Sequence, residues 1–347
     1  MDVKSMSLQE LTEAIEGLGQ PKFRAKQIYT WMHRDGVSSY EEMLNLPKTL
    51  RHQLSEQYPL TVLRTVTVQQ SAIDGTRKYL FALPDGNLIE SVLMKYRHGN
   101  SVCISSQVGC KMGCRFCAST LDGWVRNLSP SEMLDQVYRI QKDLGERITH
   151  VVVMGTGEPL DNYEALCRFI RMLTDENGLH ISQRNLTVST CGLAPEIRRF
   201  ADEGFVVTLA LSLHASSQEK RCSLMPVADI YDLDQVLSAC DEYFQKTGRR
   251  ISYEYSLVGG VNDTKADAEE LCALLRGRPA HVNLISVNPI RERNYRSSGQ
   301  KVIKEFQNKL EKSGINVTIR REMGRDIDGA CGQLRRRHLQ DPTDAQG

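Results

Sequence analysis

The chain has 347 residues with 44 basic against 43 acidic side chains, so overall charge marks out neither a nucleic-acid nor a membrane partner, and only local clusters can. Its length exceeds a typical single domain and predicts one large core with a small accessory unit, expected as a monomer. No run approaches the roughly 18 uninterrupted apolar residues that span a bilayer. The opening Met-Asp-Val-Lys-Ser-Met-Ser-Leu has no apolar signal core, so a cytoplasmic protein is expected and the ten cysteines do not read as a secreted disulfide scaffold.

In chain order, residues 7–58 read as three short helices. They carry Leu8, Leu11 and Ile15, then Ile28, Trp31 and Met32, then Leu50 and Leu54 after Pro47, with a Gly-Leu-Gly-Gln-Pro break after the first. Val62, Val66 and Val68, then 79–83 and 88–94, alternate as strands joined by turns at Asp74-Gly75 and Pro84-Asp85-Gly86-Asn87. From about residue 100, β-rich runs alternate with helical patterns, which predicts parallel strands joined by right-handed crossovers. The strands are 101–106, 149–154, 185–190, 205–213, 251–258 and 281–287. Helices follow at 129–145, 162–176, 193–203, 232–247, 264–277 and 297–313, and a last strand at 315–319. The expected class is α/β, a partial (β/α)6 barrel over 100–320. It is preceded by a helical accessory domain over 1–60 and an antiparallel β extension over 61–99, and followed by a C-terminal segment with a basic tail over 321–347.

Parallel strands end on one face of such a barrel, so the loops after them gather functional groups there. After the first strand comes Val-Gly-Cys110-Lys-Met-Gly-Cys114-Arg-Phe-Cys117. This C-x3-C-x2-C run offers three thiolates, one fewer than the irons of a [4Fe-4S] cluster. One iron stays open to chelate the amino and carboxylate groups of a small molecule such as S-adenosylmethionine. Zinc would need a fourth ligand, yet no histidine or cysteine follows Cys117 until His150, and Cys103 lies seven residues before Cys110, not a zinc-knuckle spacing. After the second strand, Gly155-Thr156-Gly157-Glu158-Pro159 lets backbone approach a ligand and offers a carboxylate to an ammonium. Ser189, then Ser212, Leu213 and His214, then Asn288 end the third, fourth and sixth strands. Singly each is a strand-end cap; together on one face they make a nucleoside-amino-acid site.

Gly-Cys-Lys-Met-Gly-Cys-Arg-Phe-Cys, Gly-Glu-Pro-Leu, Ser-Leu-His-Ala, the Asn-Pro-Ile segment and Asp-Ile-Asp-Gly-Ala-Cys331-Gly-Gln-Leu together resemble the dual-specificity adenine-C2 RNA methyltransferases of the radical S-adenosylmethionine superfamily. The likeness covers nearly the whole chain, including the helical N-terminus. It implies a radical S-adenosylmethionine core, a [4Fe-4S] cluster on Cys110, Cys114 and Cys117, and two S-adenosylmethionine molecules per turnover. By that likeness Cys331 takes a methyl group from one of them, favoured by local positive charge for which Arg320, Arg321 and Arg325 are candidates. The second is cleaved reductively to a radical that activates the S-methyl group for addition to adenine C2, a carbon not nucleophilic enough for polar methylation. Cys103 then releases the RNA by attacking the sulfur, forming a transient disulfide. Glu90 occupies the place of the family's proposed proton acceptor, although a glutamate in an alternating strand ordinarily faces solvent. Cys167, Cys191, Cys222, Cys240 and Cys272 sit singly without cluster spacing and are assigned to packing.

The implied substrates are 23S rRNA near the peptidyl-transferase centre and the tRNA anticodon loop, with an electron donor such as flavodoxin or ferredoxin. A target adenosine must be unstacked to reach a buried site, which favours loops over duplex. Arg335-Arg336-Arg337-His338, the segment holding Arg291, Arg293 and Arg296, and Lys22-Phe23-Arg24-Ala25-Lys26 are candidate phosphate contacts. Two rivals stand beside this reading. One is the related adenine-C8 methyltransferase of the antibiotic-resistance type, against which Pro159 leans. The other is a metal-containing RNA-binding protein without catalysis.

Overall fold

The computed structural model describes residues 2–288 and 292–340. Three helices open the chain: α1 (Leu8–Gly17), α2 (Phe23–His33) and α3 (Lys48–Gln57). Ser7 Oγ accepts a hydrogen bond from the Glu10 amide and the Glu10 carboxylate accepts one from the Ser7 amide, a reciprocal cap that fixes where α1 starts. Next come β1 (Arg64–Gln70), β2 (Arg77–Ala82), β3 (Leu88–Tyr96) and β4 (Gly99–Cys103), paired antiparallel in sequence. A short antiparallel pair, β5 (Gln107–Gly109) with β6 (Trp124–Asn127), brackets the cysteine run.

The rest alternates: α4 (Pro130–Leu144), β7 (Ile148–Val153), α5 (Tyr163–Thr174), β8 (Leu186–Thr190), α6 (Ala194–Asp202) and β9 (Thr208–Ser212). Then follow α7 (Gln218–Leu224), α8 (Leu233–Thr247), β10 (Ile251–Leu257), α9 (Lys265–Leu274), β11 (Ala280–Ser286), α10 (Gln300–Lys312), β12 (Asn316–Ile319) and α11 (Gln333–Gln340). Strands β4, β7, β8, β9, β10, β11 and β12 are neighbours in that order and parallel throughout, so the expected α/β barrel is the observed core.

The antiparallel extension is an extension of the core sheet itself: β1, β2 and β3 continue the same ten-strand sheet through β4, because Arg97 and His98 alone turn β3 back beside β4, pairing Tyr96 with Gly99. One bound needs correction: the strand expected at 205–213 begins only at Thr208. The chain N-terminal to α1 is anchored to the core. The Lys4 ammonium and the Asp135 carboxylate of α4, both fully buried, meet at 2.8 Å. Asp135 also accepts from the Leu63 amide at 2.7 Å, so every charge at this junction has a partner.

In-register neighbours share a face of the sheet. Lys78, Val92, Cys103 and Val152 form one row across β2, β3, β4 and β7, and Glu90 lies two residues along β3 from Val92 on the same face. The C-terminal segment leaves β12 at one edge of the sheet and is tied to the other edge. Asp74 accepts from the Gly324 amide (2.9 Å), Asp326 from Ser71 Oγ and the Ala72 amide (2.6 and 2.8 Å), and Asp328 from Gln69 (3.0 Å). It therefore closes the open barrel across its mouth.

Candidate active site

Cys110, Cys114 and Cys117 lie on the loop between β5 and β6. Gly109 sits at φ +75°, where a Cβ would meet the Gly123 carbonyl oxygen at 1.9 Å, so only glycine lets the two strands pinch the loop. Burial pushes all three thiols up, Cys110 to about 12, and proximity adds to it. Three crowded buried thiols become thiolates only beside a compensating cation, which is what an iron-sulfur cluster provides; this donor set fits one.

The second loop packs on the first. Gly157 sits at φ +113° with its α-carbon against Gln107 and Ser106, where a Cβ would come within 2.7 Å of both. Glu158 is buried; its carboxylate accepts from the Cys191 amide (2.7 Å) and the Leu160 amide (3.1 Å). Burial raises its pKa against the pull of those amides, and its charge is felt at Cys110 and Cys114. Ser189 and Ser212 stand half-buried near the ends of β8 and β9, and Leu213 is fully buried. His214 has φ +55°; its Nδ1 accepts from the Ser256 amide at 3.0 Å, which leaves Nε2 to carry the proton of a neutral ring. Burial depresses its pKa to about 3. The ring meets Phe116 of the cysteine loop edge-on at 4.7 Å, joining the fourth loop to the first. Asn288 is exposed after β11; the adjoining Pro289, Ile290 and Arg291, and residues 341–347 of the basic tail, lie outside the described residues.

Cys331 is brought to this face by the segment that crosses the barrel mouth. Its Sγ lies 3.7 Å from the Met154 carbonyl and within hydrogen-bonding reach of Cys103. The bond from Cys103 lowers the pKa of Cys331 against the opposing effect of burial, helped by the Lys78 ammonium and Arg320. The same bond, with burial, holds Cys103 up. Of the two, Cys331 is the thiol whose ionisation its surroundings favour. The charge of Cys331 reaches Cys117, and Gly332 (φ +79°) packs on the cysteine loop so closely that a Cβ would lie 3.1 Å from Ala118 Cβ. All ten cysteines are free thiols, so the implied Cys103–Cys331 disulfide is not a standing bond.

Glu90 does not face solvent. It accepts from the Gly332 and Arg335 amides, each at 2.6 Å, and pairs with buried Lys78 at 2.9 Å. Sequence reasoning passed over Lys78 and Arg221. The latter is fully buried, donates to the Cys191 carbonyl at 2.6 Å and projects its charge onto Cys114; each follows another basic residue, Arg77 or Lys220, and so reads in sequence as ordinary surface charge. Cys167, Cys240 and Cys272 pack in the main core as expected, whereas Cys191 belongs to a small cluster against Cys114 and Phe116. The C-terminal arginines are engaged in ion pairs: Arg335 and Arg336 pair with Asp122, Arg336 also with Glu292, and Arg337 with Asp328, Arg337 remaining 58% exposed. Lys22, Phe23 and Lys26 are exposed at the start of α2.

A parallel sheet carrying a three-cysteine loop beside neutral His214 and buried Glu158 describes a radical S-adenosylmethionine core, and the family model for the Radical SAM superfamily matches residues 104–275. A second model, the ribosomal RNA large subunit methyltransferase N-terminal domain, matches residues 1–59. Proteins named probable dual-specificity RNA methyltransferase RlmN are similar to the chain over nearly its whole length. The one from Lachnospira eligens is 57% identical, covering 100% of this chain and 99% of its own. The one from Lachnoclostridium phytofermentans is 60% identical, covering 97% and 94%. The crystal structure of a radical SAM methyltransferase from Sphaerobacter thermophilus superposes with a TM-score of 0.92 at 44% identity, covering 96% of this chain and 98% of that one. The chain belongs to the RlmN family of radical SAM RNA methyltransferases. Among its described residues no helix is long and apolar enough to cross a membrane.

Proposed function

We propose that this RNA methyltransferase methylates C2 of an adenosine in 23S rRNA and in the tRNA anticodon loop, with Cys331 as the methyl carrier. The reading is carried by one observation: Cys331, its Sγ 3.7 Å from the Met154 carbonyl, sits beside Cys103 and the three-cysteine loop, and the Cys103 thiol next to it lowers its pKa. In the proposal Cys110, Cys114 and Cys117 hold a [4Fe-4S] cluster. Bound there, that cluster supplies the electron for homolytic cleavage of S-adenosylmethionine, itself reduced by a flavodoxin- or ferredoxin-type donor. Gly157, Glu158, Ser189, Ser212, Leu213, His214 and Asn288 surround the cosubstrate. Neutral His214 can donate from Nε2 without bringing a second positive charge to a sulfonium.

Cys331 accepts a methyl group from a first S-adenosylmethionine, which its lowered pKa favours at neutral pH. That carbon, with one hydrogen removed, adds to C2, and loss of one electron and of the C2 proton restores the aromatic ring as a thioether to Cys331. Cys103 then attacks the Cys331 sulfur: the sulfur–sulfur bond forms as the sulfur–carbon bond breaks, the bonding pair leaves with the carbon, which takes up a proton to become the methyl group, and a cellular thiol reduces the disulfide for the next turnover. Glu90 is the proposed acceptor of the C2 proton, a duty open to it once the amides of Gly332 and Arg335 withdraw. The test is anaerobic turnover with an rRNA fragment and deuterated S-adenosylmethionine, followed by nucleoside mass spectrometry. Label on adenine C2 supports the reading, label on C8 supports the rival regiochemistry, and methylation surviving in Cys331→Ala removes the carrier role.

A further inference from the structure

We infer that Lys78 is the positioning residue that seats the methyl-carrier cysteine: its ammonium and the Glu90 carboxylate grip the backbone on both sides of Cys331. The inference rests on the carrier reading of Cys331 and adds the device that holds it. Lys78 comes from β2 and Glu90 from β3; Lys78 opposes Val92, two residues from Glu90, so the two project diagonally from one face of the sheet. The Lys78 side chain is fully buried and that of Glu90 nearly so. An ammonium has three protons to place. One goes to Glu90 at 2.9 Å and one to the carbonyl of Ala330, the residue before Cys331. Glu90 in turn takes the amide of Gly332, the residue after Cys331, and that of Arg335 in the first turn of α11, each at 2.6 Å. The clamp thus closes on the carbonyl and amide that flank the carrier residue, 252 and 242 residues away in the chain.

A buried ion pair serving stability alone would be satisfied within β2 and β3. This one leaves the sheet and spends its remaining hydrogen bonds on the backbone around a single cysteine. The groups that face the Cys331 sulfur are Cys103 from β4, Lys78, Glu90, Arg320 after β12, and Cys117 across the cysteine loop. Of these, Lys78 is the cation that also holds the peptide, so one side chain sets both the place and the charge of the carrier sulfur.

The test is iodoacetamide labelling of Cys331 across pH in the anaerobic, cluster-loaded protein, read by peptide mass spectrometry, in wild type, Lys78→Met and Lys78→Met/Glu90→Gln. The double variant removes both charges, so it keeps the fold where the single variant leaves Glu90 unpaired. In folded Lys78→Met the expected result is a labelling midpoint raised by about one pH unit, about tenfold slower labelling at neutral pH. In the double variant the opposing effects of the two charges on Cys331 are lost together, so the expected result is a midpoint near that of wild type with labelling several-fold faster above it, because Ala330 and Gly332 are no longer gripped. A folded Lys78→Met protein with the wild-type midpoint, or a double variant labelled at the wild-type rate above its midpoint, overturns the inference. Labelling involves no methyl transfer, so loss of the carrier reading through Cys331→Ala turnover would be seen separately from failure of the Lys78 clamp.

Discussion

The cysteine loop and the carrier segment meet at one sulfur-rich point, but they are built in opposite ways. The loop is local: its thiols fall within eight residues, Cys110 to Cys117, pinched between β5 and β6. The carrier segment has no regular structure from Arg320 to Ala330 and takes its place from side chains some 250 residues away: Gln69, Ser71, Asp74, Lys78 and Glu90. A cluster ligand set can be written in a short motif. A segment without regular structure is seated instead by hydrogen bonds from a hairpin distant in sequence.

The two regions should therefore fail differently. The largest effect is expected in Cys114→Ala, which removes bound iron and sulfide and abolishes RNA methylation while iodoacetamide still labels Cys331; loss of that labelling would mean the two regions fold as one. Next comes Gly332→Ala, which meets both a left-handed φ and the wall of Ala118. A cost of about 1–3 kcal/mol in seating the segment is expected, read as faster proteolysis after Arg325, against a far smaller change for Gly204→Ala, where φ is also positive but the space is open.

Stability against pH sharpens the comparison further. His214 in the site and His33 under the accessory helices are both held near a pKa of about 3 by burial. The unfolded chain binds their protons below about pH 6.5, so their contribution is full above that value and declines as pH falls toward 3. Each removes about 1.4 kcal/mol per pH unit in that window. Urea unfolding at about pH 7 and about pH 5 should give midpoints that differ accordingly, and His33→Gln should reduce the difference by about half. Smallest is the expected effect of Lys22→Ala or Lys26→Ala: weaker RNA binding at low salt and a salt slope lower by about one, with methyl transfer to Cys331 unchanged.

Much of the fold was legible. The alternation beyond residue 100 located every parallel strand and, apart from the short α7 (Gln218–Leu224), the crossover helices, since buried strands and amphipathic helices differ in period. The pair β5 and β6 escaped because three- and four-residue strands carry no period. The unity of the ten-strand sheet escaped because a two-residue turn at Arg97-His98 looks like any hairpin. In the site, the cysteine loop and the strand-end residues could be read directly, and Cys331 through resemblance. Lys78 could not, because its partner is a backbone carbonyl at Ala330 that no side-chain pattern announces. The acidic partners of the α11 arginines were hidden for a related reason: a basic run in sequence gives no sign of Asp122, Glu292 and Asp328 beside it in space.

The central claim is that the carbon delivered to RNA rests first on the Cys331 sulfur. Protein carrying an unlabelled methyl group on Cys331 is mixed anaerobically with carbon-13 methyl-labelled S-adenosylmethionine, reductant and an rRNA fragment, and the first turnover is read by mass spectrometry of the nucleosides. The account predicts a first equivalent of methyladenosine without carbon-13, followed by labelled product. Carbon-13 in that first equivalent would contradict it.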